Sequence, residues 1–600
     1  MFKDPEPRKS LNDLLKSVHS GGFVIPHFQR GFEWTPGMVK DLLVSIVQDY
    51  FIGLLLFWEL DPDSSKKETW DSLWGTEKSE VPSLAVLDGQ QRLASLHYAV
   101  YGPDEKFPMR DSFYSFYLDL GKCLDGDYDE SISYRYASSY ASLDKIKSDR
   151  DQWIKEGILP LRILSDRTYV DSKEFNEWMR GYAKKLMKGS QDADEYEALR
   201  DDIRDAIYGI LNYPFLTHTL GKDRELDDIC GIFAAINQKG MRLSTFDLMN
   251  AFLYPKGVAL RKDWEELDND KLKRTDTSAN EYLLKLISLW KQGYCSSKYV
   301  FYLIPGKKVK KKEGGKIMET VLVQSKDEFV ELWNDACSYS GRALERIMNV
   351  GKNDFGAVKT DFIPNTTTIP VMGAAMLSYE ETYKSIIPED EFDKMLYRWY
   401  WSAVISKDYS GSSDSIMSED YRDIADWFKK RDISAIHRIA KVNEEFVNGL
   451  DLREYKKGST IYNCLLCSIA LNKAEDFYTT RTLDTGSFKE ENIDDHHIFP
   501  TKAKDYPPEK TKYFDSTHDS ILNRTLLLDK TNLDILNSRP SQYLQKVMHK
   551  LDGDETRLIA LMEKHLISSK ALECMKNDDY DGFIAERENT MKHKLMNLRK

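Results

Sequence analysis

Two hydrophobic periods alternate along the first 120 residues. SLNDLLKSVHSG (10–21) carries its leucines and valine at helical spacing, and FVIPHF (23–28) follows a Gly-Gly break as a short apolar run. TPGMVKDLLVSIVQDY (35–50) returns to the helical period behind Thr35-Pro36, a good helix start. GLLLFWEL (53–60) then reads as a buried strand, and the polar residues 61–82 as a loop. LAVLDGQQRLASLHYAV (84–100) predicts strand, tight turn and helix, and FYSFYLDL (113–120) predicts another strand. Strands alternating with helices indicate an α/β unit.

From about residue 140 the period is helical. IFAAINQKGMRLSTFDLMNAFLY (232–254) predicts two helices around a Gly-centred turn, with Ser244 or Thr245 as N-cap. Residues 280–300 read as helix. KYVFYLIP (298–305) and KIMETVLVQS (316–325) read as paired strands joined by GKKVKKKEGG (306–315), the most basic run in the chain. That run is either a solvated loop or a finger that meets phosphates through Lys307, Lys308, Lys310, Lys311 and Lys312. Helical periodicity broken by polar loops fills 326–475, a turn-rich stretch follows, and 539–600 is helical and highly charged. The expected organisation is α+β and multidomain: an α/β unit over 1–255, a mainly helical connecting region over 256–474, and a third domain over 475–600.

Composition narrows the class. With 600 residues, 41% hydrophobic and 30% charged, the chain has the make-up of an ordinary globular protein too long for one core. No 18-residue apolar run exists, so no membrane span is expected, and MFKDPEPRKS lacks the apolar core of a signal peptide. Seven cysteines without framework spacing fit a reducing, cytoplasmic setting. Cys464 and Cys467 lie in IYNCLLCSIAL, where core packing is the expectation. A net charge of −13 argues against a surface coated with non-specific nucleic-acid contacts, yet permits a local basic groove.

Two of only 11 histidines stand side by side in NIDDHHIFP (492–500). Imidazoles beside carboxylates suit a divalent metal or a general base. Downstream come Asn523 and Asn532 in DSILNRTLLLDKTN (519–532). The order HHxxP…N…N resembles the HNH, or ββα-metal, nuclease motif. The resemblance implies a hairpin closed by a helix, with His496 as metal ligand, His497 as general base, Asn523 holding the hairpin and orienting that base, and Asn532 as second ligand. Asp494 or Asp495 as ligand, and His518 in place of Asn532, stay open. The implied chemistry is phosphodiester hydrolysis with Mg²⁺ or Mn²⁺: a neutral imidazole of pKa ~6.5 can take a proton from water, and the cation offsets charge on phosphate and leaving oxygen. A structural zinc is disfavoured, because no cysteine lies nearby.

IPHFQRGFEW (25–34) and LDGQQRL (87–93) both set Gln-Arg beside a tight turn. Arg30 and Arg92 suit bidentate contact with phosphate, and a helix start after Gly89 favours an anion. Asp88 suits Mg²⁺ or a water. The bland alternative is a turn shaped by Asp88 and Gly89 with Arg92 in a salt bridge. The stretch FVIPHFQRGFEWTPGMVKDLL…GLLLFWEL…AVLDGQQRLASL resembles the ParB-like N-terminal domain of GmrSD-type restriction enzymes and SspE- and BrxU-like phage-defence proteins. FAAINQKGMRLSTFDL (233–248) matches through Asn237, Gly240 and Leu243-Ser244, and RWYWSAVISKDYSGSSDS (398–415) is similar to the middle of these proteins.

The resemblance implies binding and hydrolysis of a nucleoside triphosphate around Asp88, Gly89, Gln90, Gln91 and Arg92, with Gln29 and Arg30 sensing DNA or contacting phosphate. GTP, ATP, CTP and UTP are not distinguished. No GxxxxGK[ST] occurs, so a P-loop is excluded. The expected function is an NTP-regulated DNA endonuclease of prokaryotic defence, acting on DNA that includes modified phage DNA. The competing classes are a non-cleaving NTP-dependent DNA-binding regulator and an RNA-targeting toxin. A homo-oligomer stays open.

Overall fold

Ser10 accepts a hydrogen bond from the Asp13 amide and so begins α1 (Leu11–His19), which buries Leu11, Leu14, Leu15 and Val18 along one face. Thr35 caps α2 (Pro36–Val47) in the same way, with Pro36 placed where a helix needs no amide. This computed structural model describes residues 8–599 apart from 61–69, 77–81, 103–104, 108–109, 140, 143–149, 166–172, 188–191, 225–227, 231, 234–243, 314–315, 412, 486–491 and 501–510. The chain divides into two units, Met1–Leu243 and Ser244–Lys600.

The strands of the first unit are β1 (Lys9–Ser10), β2 (Phe23–Pro26), β3 (Leu54–Glu59), β4 (Trp70–Ser72), β5 (Leu84–Asp88), β6 (Phe113–Asp119), β7 (Ile132–Ala137), β8 (Ile158–Pro160) and β9 (Pro214–Leu220). Six form one sheet in the order β1-β9-β3-β5-β2-β4, and the other three form an antiparallel sheet in the order β7-β6-β8. The larger sheet is mixed: β2 pairs parallel with β5 and β3 with β9, while β3 and β5 run antiparallel. β4 is an edge strand inside the segment expected to be loop; Trp70 is buried there and pairs opposite Pro26. Leu14, Leu43, Phe57, Val86, Leu96 and Phe215 belong to one core beneath the helices.

Between β5 and α3 (Gln90–Tyr101) the chain turns at Gly89, whose φ is +96°. A Cβ there would lie 2.3 Å from Leu55 Cδ2. Gly53, also at φ +96°, faces Arg92 in the same way, with Nη1 2.6 Å from a built Cβ. Both glycines are therefore required by backbone conformation and by close approach.

The second unit is mostly helical. Ser244 is the N-cap of Thr245–Leu253, in a capping box with Asp247. Helix Thr368–Ser378 is buried at every residue. Gly373 lets it approach its neighbours, since a Cβ would meet Leu286 Cδ1 at 2.5 Å and the Tyr339 carbonyl at 3.3 Å. Residues 256–474 and 475–600 share one hydrophobic core, which runs from Phe246 to Leu598. Cys464 and Cys467 are free and buried in helix Thr460–Leu471. Among the described residues no helix is long and apolar enough to cross a membrane.

One expected hairpin moves. Residues 298–305 are not a strand but a helical turn, Ser297–Val300 followed by 3₁₀ residues Phe301–Leu303. Tyr299 there stacks on Tyr294. The strands are instead β10 (Lys308–Glu313) and β11 (Lys316–Val321), in register from Lys308↔Val321 to Glu313↔Lys316. The basic run is thus a strand rather than a tip. Gly314-Gly315 is a two-residue hairpin signal, and it outweighs the aromatic pattern upstream.

Gly89→Ala is expected to destabilise the first unit by roughly 1–2 kcal/mol from the left-handed backbone alone, with the Leu55 clash added. Denaturant unfolding of the variant against wild type measures this.

Candidate active site

β12 (Ile493–His497) pairs antiparallel with β13 (Arg524–Leu528), placing His496 opposite Thr525 and His497 opposite Arg524. Helix Asp529–Ile535 follows directly. Successive strand side chains point to opposite faces. Asp494 and His496 therefore share one face, and Asp495 and His497 share the other.

On the first face Asn532, from the helix, closes the cluster. Its Nδ2 donates to Asp494 Oδ2 at 3.3 Å, which turns Oδ1 toward His496 Nδ1. An amide oxygen only accepts, so Nδ1 carries the proton. His496 Nε2 is then a bare lone pair, buried and without a partner among the described residues. Burial, with the nearby His497 and Arg524 charges, lowers the His496 pKa to about 4 against the pull of Asn532, so the ring is neutral. The donors gathered here, an imidazole, an amide oxygen and a carboxylate, suit a hard divalent cation better than a thiolate metal site. No group of three His, Cys, Asp or Glu among the described residues is arranged to hold a metal ion. Any cation here would rest on few protein donors.

On the second face His497 Nε2 lies 2.9 Å from Asp519 Oδ1. The carboxylate accepts, so Nε2 donates and Nδ1 keeps its lone pair. Burial and the Arg524 guanidinium push His497 below its usual value, while Asp519 pulls the other way. The bond from His497 in turn holds the Asp519 carboxyl low. Arg524 bonds Asp519 Oδ1 at 3.0 Å and the Asp495 carbonyl at 3.1 Å. His518 approaches the other Asp519 oxygen at 3.2 Å.

Asp495 is committed elsewhere. It is buried and bonded to Tyr462 and Lys457. Burial alone would raise its pKa, but those two donors outweigh it and hold the carboxyl low. Asn523 is fully buried in a 3₁₀ turn, Ile521–Asn523, just before β13 rather than inside a strand. It accepts from the Phe499 amide at 2.8 Å and donates to the Phe499 and His518 carbonyls at 2.9 and 3.0 Å. The amide thus ties together both ends of the connection between the strands, and the carboxylate bonded to His497 is Asp519.

In the first unit the two Gln-Arg stretches interlock. Gln90 and Gln91 donate to the carbonyls of Arg30 and Gly31 at 2.8 Å, and Gln91 Oε1 accepts from the Glu33 amide. Gln29 donates to the Val86 carbonyl at 2.6 Å. Arg92 grips the carbonyls of Ile52 and Leu54 at 2.6 and 2.9 Å and the Asp88 carboxylate at 2.9 Å. Arg30 pairs with Glu33 at 2.7 Å. Asn237, Gly240 and Leu243 lie outside the described residues.

Lys307 is half-buried beside the Phe301 ring, and burial lowers its pKa. Lys308 is exposed. Lys310, Lys311 and Lys312 continue the backbone of β10, and their side chains lie outside the described residues.

Asp519 and Arg524 were not legible as site residues. Asp519 opens the quoted stretch DSILNRTLLLDKTN, but its partner is 22 positions away, beyond any local period.

Residues 11–254 match the model of a family described as "GmrSD restriction endonuclease, N-terminal domain". The chain is 28% identical over 625 residues, covering 98% of each chain, to an uncharacterized protein of Methanocaldococcus jannaschii. The likeness to that family is therefore to its N-terminal domain, over residues 11–254.

His496 and His565 are both held near 4 by burial, against ~6.5 in an unfolded chain. The unfolded state binds more protons in that interval, so stability rises with pH across it. The melting temperature of the chain is expected to fall steadily between pH 6.5 and pH 4, with part of that slope removed in His565→Gln. Thermal melts across this range test it.

Proposed function

We propose, from the likeness of residues 11–254 to the restriction-endonuclease domain and from the hairpin-plus-helix cluster, that this chain is an NTP-regulated, divalent-metal-dependent DNA endonuclease of a prokaryotic anti-phage system. The observation that carries the reading is the pairing of β12 with β13. It gathers Asp494, His496 and Asn532 on one face and His497 with Asp519 on the other, one residue apart along a single strand.

In this reading His496 and Asn532, with Asp494 beside them, would hold Mg²⁺ or Mn²⁺, with the His496 proton moved from Nδ1 to Nε2 so that the nitrogen facing Asn532 is free to bind. The bound cation supplies charge neutralisation at the phosphate and at the leaving oxygen. His497 acts through Nδ1, taking a proton from the attacking water, and Asp519 keeps the other nitrogen protonated and the ring aimed. The depressed His497 pKa leaves the ring neutral and ready at physiological pH. Asn523 keeps the strand ends together. The basic run 307–312 belongs to the same unit, and its Lys307, Lys308, Lys310, Lys311 and Lys312 are the proposed contacts for the DNA backbone.

The first unit carries the nucleotide role in this reading, through Asp88–Arg92, and the gating of the nuclease. The bonding of Gln29, Gln90, Gln91 and Arg92 among themselves and to backbone carbonyls favours a second reading of that unit. In it the DGQQR stretch shapes the 29–34 loop instead of gripping phosphate. Arg92→Ala is then a poor probe, because it removes a clamp as well as a charge. Asp88→Asn separates the readings: loss of NTP hydrolysis with an unchanged melting temperature supports the nucleotide role, and unchanged hydrolysis supports the scaffold.

Supercoiled plasmid with Mg²⁺ or Mn²⁺ tests the nuclease itself. Wild type is expected to nick or cut it, and His497→Ala to lose at least ~100-fold of that rate. A wild type that leaves DNA intact but degrades RNA supports the RNA-targeting toxin. One that binds DNA without cutting supports the regulator.

A further inference from the structure

Two neighbouring residues beneath the hairpin, Glu475 and Asp476, hold both elements of the His496–Asn532 pair. Asp476 is fully buried, with 0% exposure. Its Oδ1 accepts from the Tyr478 amide at 3.2 Å, the Thr479 amide at 2.9 Å, the Thr479 hydroxyl at 3.0 Å and the Thr531 hydroxyl at 2.9 Å. Its Oδ2 accepts from the Leu528 amide at 3.1 Å. Leu528 is the N-cap of helix Asp529–Ile535 and has no side-chain oxygen to offer, so the carboxylate reaches that helix start from another part of the chain. Thr531 immediately precedes Asn532. The anchoring therefore acts one residue from the proposed ligand.

Glu475 holds the facing strand. Its carbonyl lies 2.7 Å from His565 Nε2 and can only accept, so Nε2 is the protonated nitrogen. His565 Nδ1 must then accept from the Thr525 hydroxyl at 2.6 Å. Thr525 is the cross-strand partner of His496. One dipeptide thus fixes both the strand opposite His496 and the helix that carries Asn532.

We propose that Asp476 is a positioning residue for the cation site: it sets the separation of His496 and Asn532 by tethering the start of the Asn532 helix. The inference rests on the metal reading given above. A carboxylate is required because all five partners are donors. Asparagine would turn an N–H toward one of them, leaving two donors face to face in a buried site. Residues that orient ligands in this way typically tune metal affinity by about 10–100-fold when altered.

The test is Mn²⁺ titration of the full chain by calorimetry, with nicking rate measured against Mn²⁺ concentration. Asp476→Asn is expected to bind Mn²⁺ about 10–100-fold more weakly, while its rate at saturating Mn²⁺ returns to near the wild-type value. Thr531→Val, which removes one donor and leaves the carboxylate in place, is expected to shift affinity in the same direction by less. Should Asp476→Asn fail to fold, Thr531→Val alone decides. A wild type that binds Mn²⁺ with variants that bind it equally well overturns this inference alone. A wild type that binds no Mn²⁺ overturns the metal reading and this inference with it.

Discussion

β12 is five residues long, and its register against β13 decides what each of its side chains can do. A slip of one residue would send His496 to the face of Arg524 and Asp519, and His497 to the face of Asn532. The register is pinned by features with little tolerance. Ile493 faces the core, Asp495 is locked to Tyr462 and Lys457, and Asn523 bonds the backbone at both ends of the connection. Neither imidazole could exchange faces without burying a bare carboxylate or exposing an isoleucine.

The polar groups around the hairpin are expensive to bury, and several are fully matched. Asp476 meets five donors, His565 has both nitrogens bonded, and Asn523 makes three bonds. Matched networks of this kind give a core one arrangement in place of several. That rigidity matters for a site with few donors, because its geometry has to come from the scaffold. Unmatched atoms among the described residues include His496 Nε2, Arg524 Nε and two nitrogens of Arg587. Arg587 is fully buried and donates to the Arg524 carbonyl; burial lowers its pKa to about 9.

The first unit uses the same device to a different end. Its two Gln-Arg stretches lie about 60 residues apart in sequence, yet their side-chain amides reach one another's backbone, and the Arg92 guanidinium grips the Ile52 and Leu54 carbonyls. Gly53 and Gly89 make room for Arg92 to lie against the strand. Residue types that attract attention as phosphate ligands serve here, in this conformation, as staples between loop and sheet.

Local patterning was enough for much of this protein. The 3.6- and 2-residue periods located α1, α2, β2, β3, β5 and α3, and Ser-Thr and Thr-Pro marked helix starts at Ser244 and Thr35. The resemblance carried by the HHxxP…N…N order implied a hairpin and a helix, and β12, β13 and Asp529–Ile535 have that form. Where aromatic and basic runs adjoin, at 298–313, the period was ambiguous, and the first strand of the hairpin fell ten residues downstream while the second began at Lys316 as expected. Which imidazole meets Asp519, that Asp495 is unavailable, and that Asp476 grips a helix start more than 50 residues away were decided only by the tertiary structure. A polar side chain's partner is set by where the folded backbone delivers it, and no local repeat encodes a contact made across the core.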